Sequence, residues 1–168
     1  VLALIALDGV SRELLDELAA EGRLPHLAAL RASGTSVSLD TPAGPFPAGV
    51  FPSLWSGVPV AQHGIHYPFM WSAPEQRVRF VSDFPYPVAM WERLAGTGAR
   101  CVVLDAYESP VPAAIDGLYL RGWQFRNRVV LRPGALPAGE DRRLAGRFGR
   151  PRRAEEVFGR PDVGRLRR

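Results

Sequence analysis

Apolar positions along the chain fall into unbroken runs and into runs with helical spacing. Val1 to Leu7 is apolar without interruption and stops at Asp8-Gly9. A run apolar on both faces predicts a central parallel strand covered from two sides, with Asp8 at its carboxyl end. That end is where open α/β sheets place their ligand crevice, and Gly9 leaves room for a sharp turn beside the carboxylate. Cys101-Val102-Val103-Leu104 repeats the design and ends at Asp105. Leu118-Tyr119-Leu120, Thr35 to Leu39 and Val78 to Val81 predict shorter strands.

Helical spacing comes next. Leu14, Leu15, Leu18 and Ala19 lie on one face of Ser11 to Glu21, with Ser11 as cap and Gly22 as stop. A second helix starts at Pro25, carries Leu27, Ala28 and Leu30, and ends at Ser33-Gly34. Val88, Trp91 and Leu94 predict a third, with weaker helices around Asp141 to Phe148 and Ala154 to Phe158. The order β-α-α-β at the start fits a layered α/β domain. Residues 41 to 52 hold Pro42, Gly44, Pro45, Pro47, Gly49 and Pro52, and predict either a loop or the entry to a helix through Ser53-Leu54-Trp55. His66, Tyr67, Phe69 and Trp71 form an aromatic stretch whose plainer reading is core packing.

Composition narrows the function classes. A chain of 168 residues, nearly half apolar, is long enough for one domain with a sizeable core. Cys101 is the sole cysteine, which excludes an internal disulfide and a cysteine-rich zinc site; its neighbours predict a buried thiol. Net charge is −5 over residues 1–120 and +9 over 121–168. Every basic residue is Arg, however, and those of the tail are mixed with Gly, Pro and Glu, so the sequence speaks against a nucleic-acid partner. Val1 to Leu7 is too short to span a bilayer and no basic residue precedes it, so neither a transmembrane segment nor a signal peptide is expected. The lone cysteine and lack of a signal segment lean toward the cytoplasm. The chain does not begin with Met and reads as a piece of a longer protein.

Three motifs in order carry a family resemblance: Ile5-Ala6-Leu7-Asp8-Gly9, then Leu24-Pro25-His26-Leu27-Ala28-Ala29-Leu30 with Gly34, then Ser56-Gly57-Val58-Pro59-Val60-Ala61-Gln62-His63-Gly64-Ile65. Together they resemble the amino-terminal part of the alkaline phosphatase superfamily, in its type I phosphodiesterase/nucleotide pyrophosphatase branch. The resemblance implies an α/β three-layer domain with a mostly parallel sheet, incomplete in this chain. Residues 1–132 would form its amino-terminal part, and 133–168 an Arg-rich, loosely structured continuation of the same domain. It further implies hydrolysis of phosphate esters with two divalent metal ions, usually zinc, and a Thr or Ser nucleophile, so the partner would be a small phosphate-ester substrate. Asp8 would be the first metal ligand; its plain alternative is a carboxylate capping a turn.

Counting back from Ser56-Gly57, the family's hydroxyl position falls at Pro47. Ser53 is the nearest candidate nucleophile, with Thr41 and Ser56 as further options; a helix-capping or solvated serine is the other reading of Ser53. The family's His-Gly turn is architectural, so His63 is expected to fix the loop through a hydrogen bond. His26, His66 and Asp105 receive no role. The family's other metal ligands lie beyond this stretch, so the piece alone is expected to be inert. A relative that kept the fold and lost the chemistry, serving as a binding module, is the alternative function. The sequence sets no oligomeric state.

Overall fold

The computed structural model describes residues 1–7, 10–123 and 133–149. The chain divides into two compact units, Val1–Asp40 and Thr41–Arg168.

The first unit holds α1 (Arg12–Ala20) and α2 (Pro25–Ser33). Ser11 caps α1 as predicted, its Oγ accepting from the Leu14 N–H at 3.1 Å. Gly22 takes φ +72°, a left-handed turn that glycine adopts without strain, and Pro25 opens α2. Asp16 on α1 pairs with Arg31 on α2. No described residue of this unit is buried. The central strand expected at Val1 to Leu7 is therefore not there: no described strand pairs with it, and Ile5 is 79% exposed. Thr35 to Leu39 likewise forms no strand. The physical reason is that an apolar run becomes a buried strand only when neighbours take its backbone groups and layers cover its faces; among the described residues neither is supplied.

The second unit carries two small sheets. In the first, β1 (Phe69–Ser72) and β2 (Arg77–Phe80) form an antiparallel hairpin with Phe69 opposite Phe80 and Trp71 opposite Val78. Alternation sends Met70 and Ser72 inward, so Phe69 and Trp71 face out, Trp71 at 56% exposure. The core here is Ala48, Ile65, Met70 and Val81, not the aromatic run.

The second sheet has the order β3–β4–β5, where β3 is Cys101–Leu104, β4 Gly117–Arg121 and β5 Gly134–Leu136. β3 and β4 are parallel, and β4 and β5 antiparallel. β3 was expected to be buried on both faces, but only Cys101 and Val103 turn toward the core; Val102 is 69% exposed. Among the described residues β3 is an edge strand, and nothing described covers its outer face. Cys101 is half-buried, not fully buried. The sheet's core joins Trp55, Ala89, Trp91, Ala106 and Tyr119. Trp55 and Trp91 stand 5.6 Å apart between ring centres, and the Trp55 Nε1–H donates to the Tyr107 carbonyl at 2.8 Å.

Among the described residues this unit also holds the α-helices α3 (Val50–Ser56), α4 (Val60–His63), α5 (Met90–Arg93) and α6 (Glu140–Phe148). α5 is shorter than its apolar spacing predicts, and α6 lies where expected. The helix expected at Ala154 to Phe158 lies outside the described residues. The described chain is thus mixed α/β with two small sheets, one of them partly parallel.

Candidate functional site

The Pro- and Gly-rich segment resolves into both of its predicted alternatives, a loop and then a helix. Phe46 N–H donates to the Pro42 carbonyl at 2.8 Å, and Pro47 opens a single 3₁₀ turn, Pro47–Gly49, that runs straight into α3. Proline suits that first position because its fixed φ matches the turn and its missing N–H would have no helical acceptor. Pro47, the position to which the count back from Ser56-Gly57 leads, therefore builds the turn and brings no reactive oxygen.

Ser53 sits midway along α3, and its Oγ lies 2.9 Å from His63 Nε2. The two residues are ten apart, and the left-handed Gly57 turns the chain between them. Gly57 (φ +68°) ends α3 and Gly64 (φ +73°) ends α4. The other ring nitrogen, His63 Nδ1, accepts the Ile65 N–H at 3.0 Å. A backbone N–H can only donate, so Nδ1 carries no proton and the neutral ring holds its proton on Nε2. The Nε2–H then donates to Ser53 Oγ. In this arrangement His63 takes no proton from Ser53 and is not its general base. Burial lowers the His63 pKa below the usual histidine value, which favours the same neutral form.

The expected architectural role of His63 thus has its geometry: one ring joins α3 to the turn that seats Ile65, which is 1% exposed. Nothing in the sequence paired His63 with Ser53; the signal that could have done so is the glycine after each short helix.

The other hydroxyls of the segment are engaged locally. Ser56 Oγ donates to the Pro52 carbonyl at 2.6 Å and accepts from the Val58 N–H at 3.1 Å. Thr41 Oγ1 accepts from the Ala43 N–H at 3.3 Å. His66 Nδ1 lies 2.8 Å from the Gly64 carbonyl, which requires the proton on that nitrogen, and its ring meets Phe46 edge-on. Asp105, at the end of β3 with φ +49°, accepts the Trp123 N–H at 2.8 Å. His26 lies on α2, in the other unit. Asp8 lies outside the described residues.

A tightly held divalent ion needs several anionic or imidazole ligands around one point. Among the described residues no three His, Cys, Asp or Glu side chains converge in that way. The described residues alone therefore do not fit a two-metal centre. No described helix is long and apolar enough to cross a membrane.

Residues 2–103 match the family described as type I phosphodiesterase / nucleotide pyrophosphatase. Comparisons with curated proteins and with solved structures find no match. The matched span takes in the first apolar run, the Ser53–His63 contact, the His63-Gly64 turn and most of β3. On that match, which covers well over half of its length, the chain belongs to the type I phosphodiesterase/nucleotide pyrophosphatase family.

Proposed function

We propose that this chain is the amino-terminal segment of a metal-dependent phosphodiesterase or phosphatase, and that its mixed α/β fold is part of a three-layer alkaline phosphatase-like domain. The observation that carries this reading is the family match over residues 2–103. Phosphate esters are the substrate class that follows from it. Two divalent cations, zinc by family precedent, would serve the reaction in the full-length parent. Asp8 would supply one ligand, and the others would come from residues outside those described. Ser53 is the proposed nucleophile. The Nε2–H of His63 directed at its Oγ supports this, because a donor there stabilises oxygen as negative charge develops on it.

One observation favours a second reading, a relative that binds without hydrolysing. Thr41, Ser53 and Ser56 all have hydrogen-bond partners that hold the local fold, and Pro47, where counting back from Ser56-Gly57 would put the family's hydroxyl, opens a turn instead. The test uses the full-length parent with an aryl phosphodiester and added zinc or manganese. Turnover is expected, with loss on chelation and in Asp8→Ala, and a fall of about 10³-fold or more in kcat for Ser53→Ala, as for removal of a nucleophile. Full activity in a folded Asp8→Ala protein would remove the metal assignment. Full activity in Ser53→Ala would move the nucleophile elsewhere. No turnover with either metal would leave the binding module as the function.

A further inference from the structure

The ring of His63 bridges two groups that respond differently to a proton. Nε2 keeps its hydrogen in both charge states, so the contact with Ser53 Oγ survives protonation. Nδ1 does not: it is the acceptor for the Ile65 N–H at 3.0 Å, and a proton placed there sets two N–H groups against each other. Ile65 is a fully buried member of the core beneath β1, so that amide fixes how the turn enters the hairpin. We propose that His63 is an acid-operated latch: uptake of one proton at Nδ1 releases the Ile65 amide and loosens the 64–66 turn, while α3 stays attached through Ser53. This stands on the geometry of the turn and is independent of the hydrolase reading.

The surroundings isolate the latch from competing charges. From Thr41 to Pro74 the chain has no Asp, Glu, Lys or Arg. The 47–49 turn, α3, the 57–59 connection and α4 therefore present no charged group to the ring. The neighbouring titratable side chain is His66, whose Nδ1–H donates to the Gly64 carbonyl at 2.8 Å. Burial is what lowers the basicity of His63. The sign follows: an unfolded histidine, near pH 6.5, takes its proton before the folded one. Stability is therefore complete above about pH 6.5 and is lost as the pH falls from there through the lower folded value.

The test is denaturant unfolding of the 168-residue chain between pH 7.5 and 5.5, against His63→Asn. The Asn Oδ1 can accept the Ile65 N–H and does not titrate in this range. The wild-type unfolding constant is expected to hold steady down to about pH 6.5 and then to rise by up to ~10-fold per pH unit, the limit for one proton, and the variant's rise to be markedly smaller. Equal rises in the two proteins would overturn the proposal. If His63→Asn does not fold, ¹⁵N NMR of the wild-type ring decides. An unprotonated Nδ1 at pH 7.5, with the Ile65 amide shifting in step with ring titration, is the expected result. A protonated Nδ1, or an Ile65 amide that ignores the titration, would overturn the proposal.

Discussion

Gly49→Ala is a sharp test of how the 3₁₀ turn meets the α4 region. Gly49 has φ −86° and ψ −16°, ordinary right-handed geometry, so an alanine there meets no backbone strain. By helix propensity and unfolded-state entropy alone it would stabilise the chain by about 0.4–1 kcal/mol. Packing opposes this. An added Cβ would stand 2.6 Å from Val60 Cγ2 and 2.8 Å from the Ile65 carbonyl oxygen. The valine methyl can rotate aside, but the carbonyl belongs to the turn pinned by His63 and cannot yield cheaply. Overpacking of this kind costs about 1–3 kcal/mol, leaving a net loss of about 1.3 kcal/mol at mid-range. In urea unfolding, with a slope of about 1–3 kcal/mol/M, the midpoint should fall by roughly 0.4–1.3 M at unchanged slope. Val60→Ala in the same chain should restore only part of the loss, because it removes one of the two overlaps. A variant as stable as the wild type, or more so, would refute the close approach.

Tyr119→Phe should cost about 1 kcal/mol by denaturant unfolding. The buried hydroxyl donates to the Ser109 carbonyl at 2.8 Å, but that oxygen keeps a second donor, Arg121 Nη1, at 3.0 Å. Glu92→Ala should cost more, about 2 kcal/mol, since one carboxylate accepts the N–H groups of Ala89 (3.2 Å) and Ala113 (2.9 Å) and the alanine leaves both without it. Glu92→Gln, which retains one acceptor oxygen, should fall between the two.

The legible parts of the fold were those set by local chemistry. Ser11 capping α1, Gly22 turning the chain after it and Pro25 opening α2 each follow from a short-range preference and appear as such. Cys101 to Leu104 was legible as a strand because four apolar residues in a row need a sheet. How many faces that sheet would cover was not, because cover is a property of neighbours far along the chain; hence the exposed Val102 and the unpaired Val1 to Leu7. Alternation in the hairpin placed Trp71 outside, although aromatic character alone suggested the core. At the site, the His-Gly turn suggested a loop-fixing role for His63, while its choice of Ser53 depended on how the left-handed turn at Gly57 folds α4 back on α3.

The parallel pair β3–β4 is joined by residues 105–116, a connection without a helix. What ties it down comes from the returning strand: Tyr119 and Arg121 both reach across to the same oxygen at position 109. That oxygen is main chain, present whatever amino acid occupies the position. The strand thus grips its own crossover by a handle that a change of side chain does not remove.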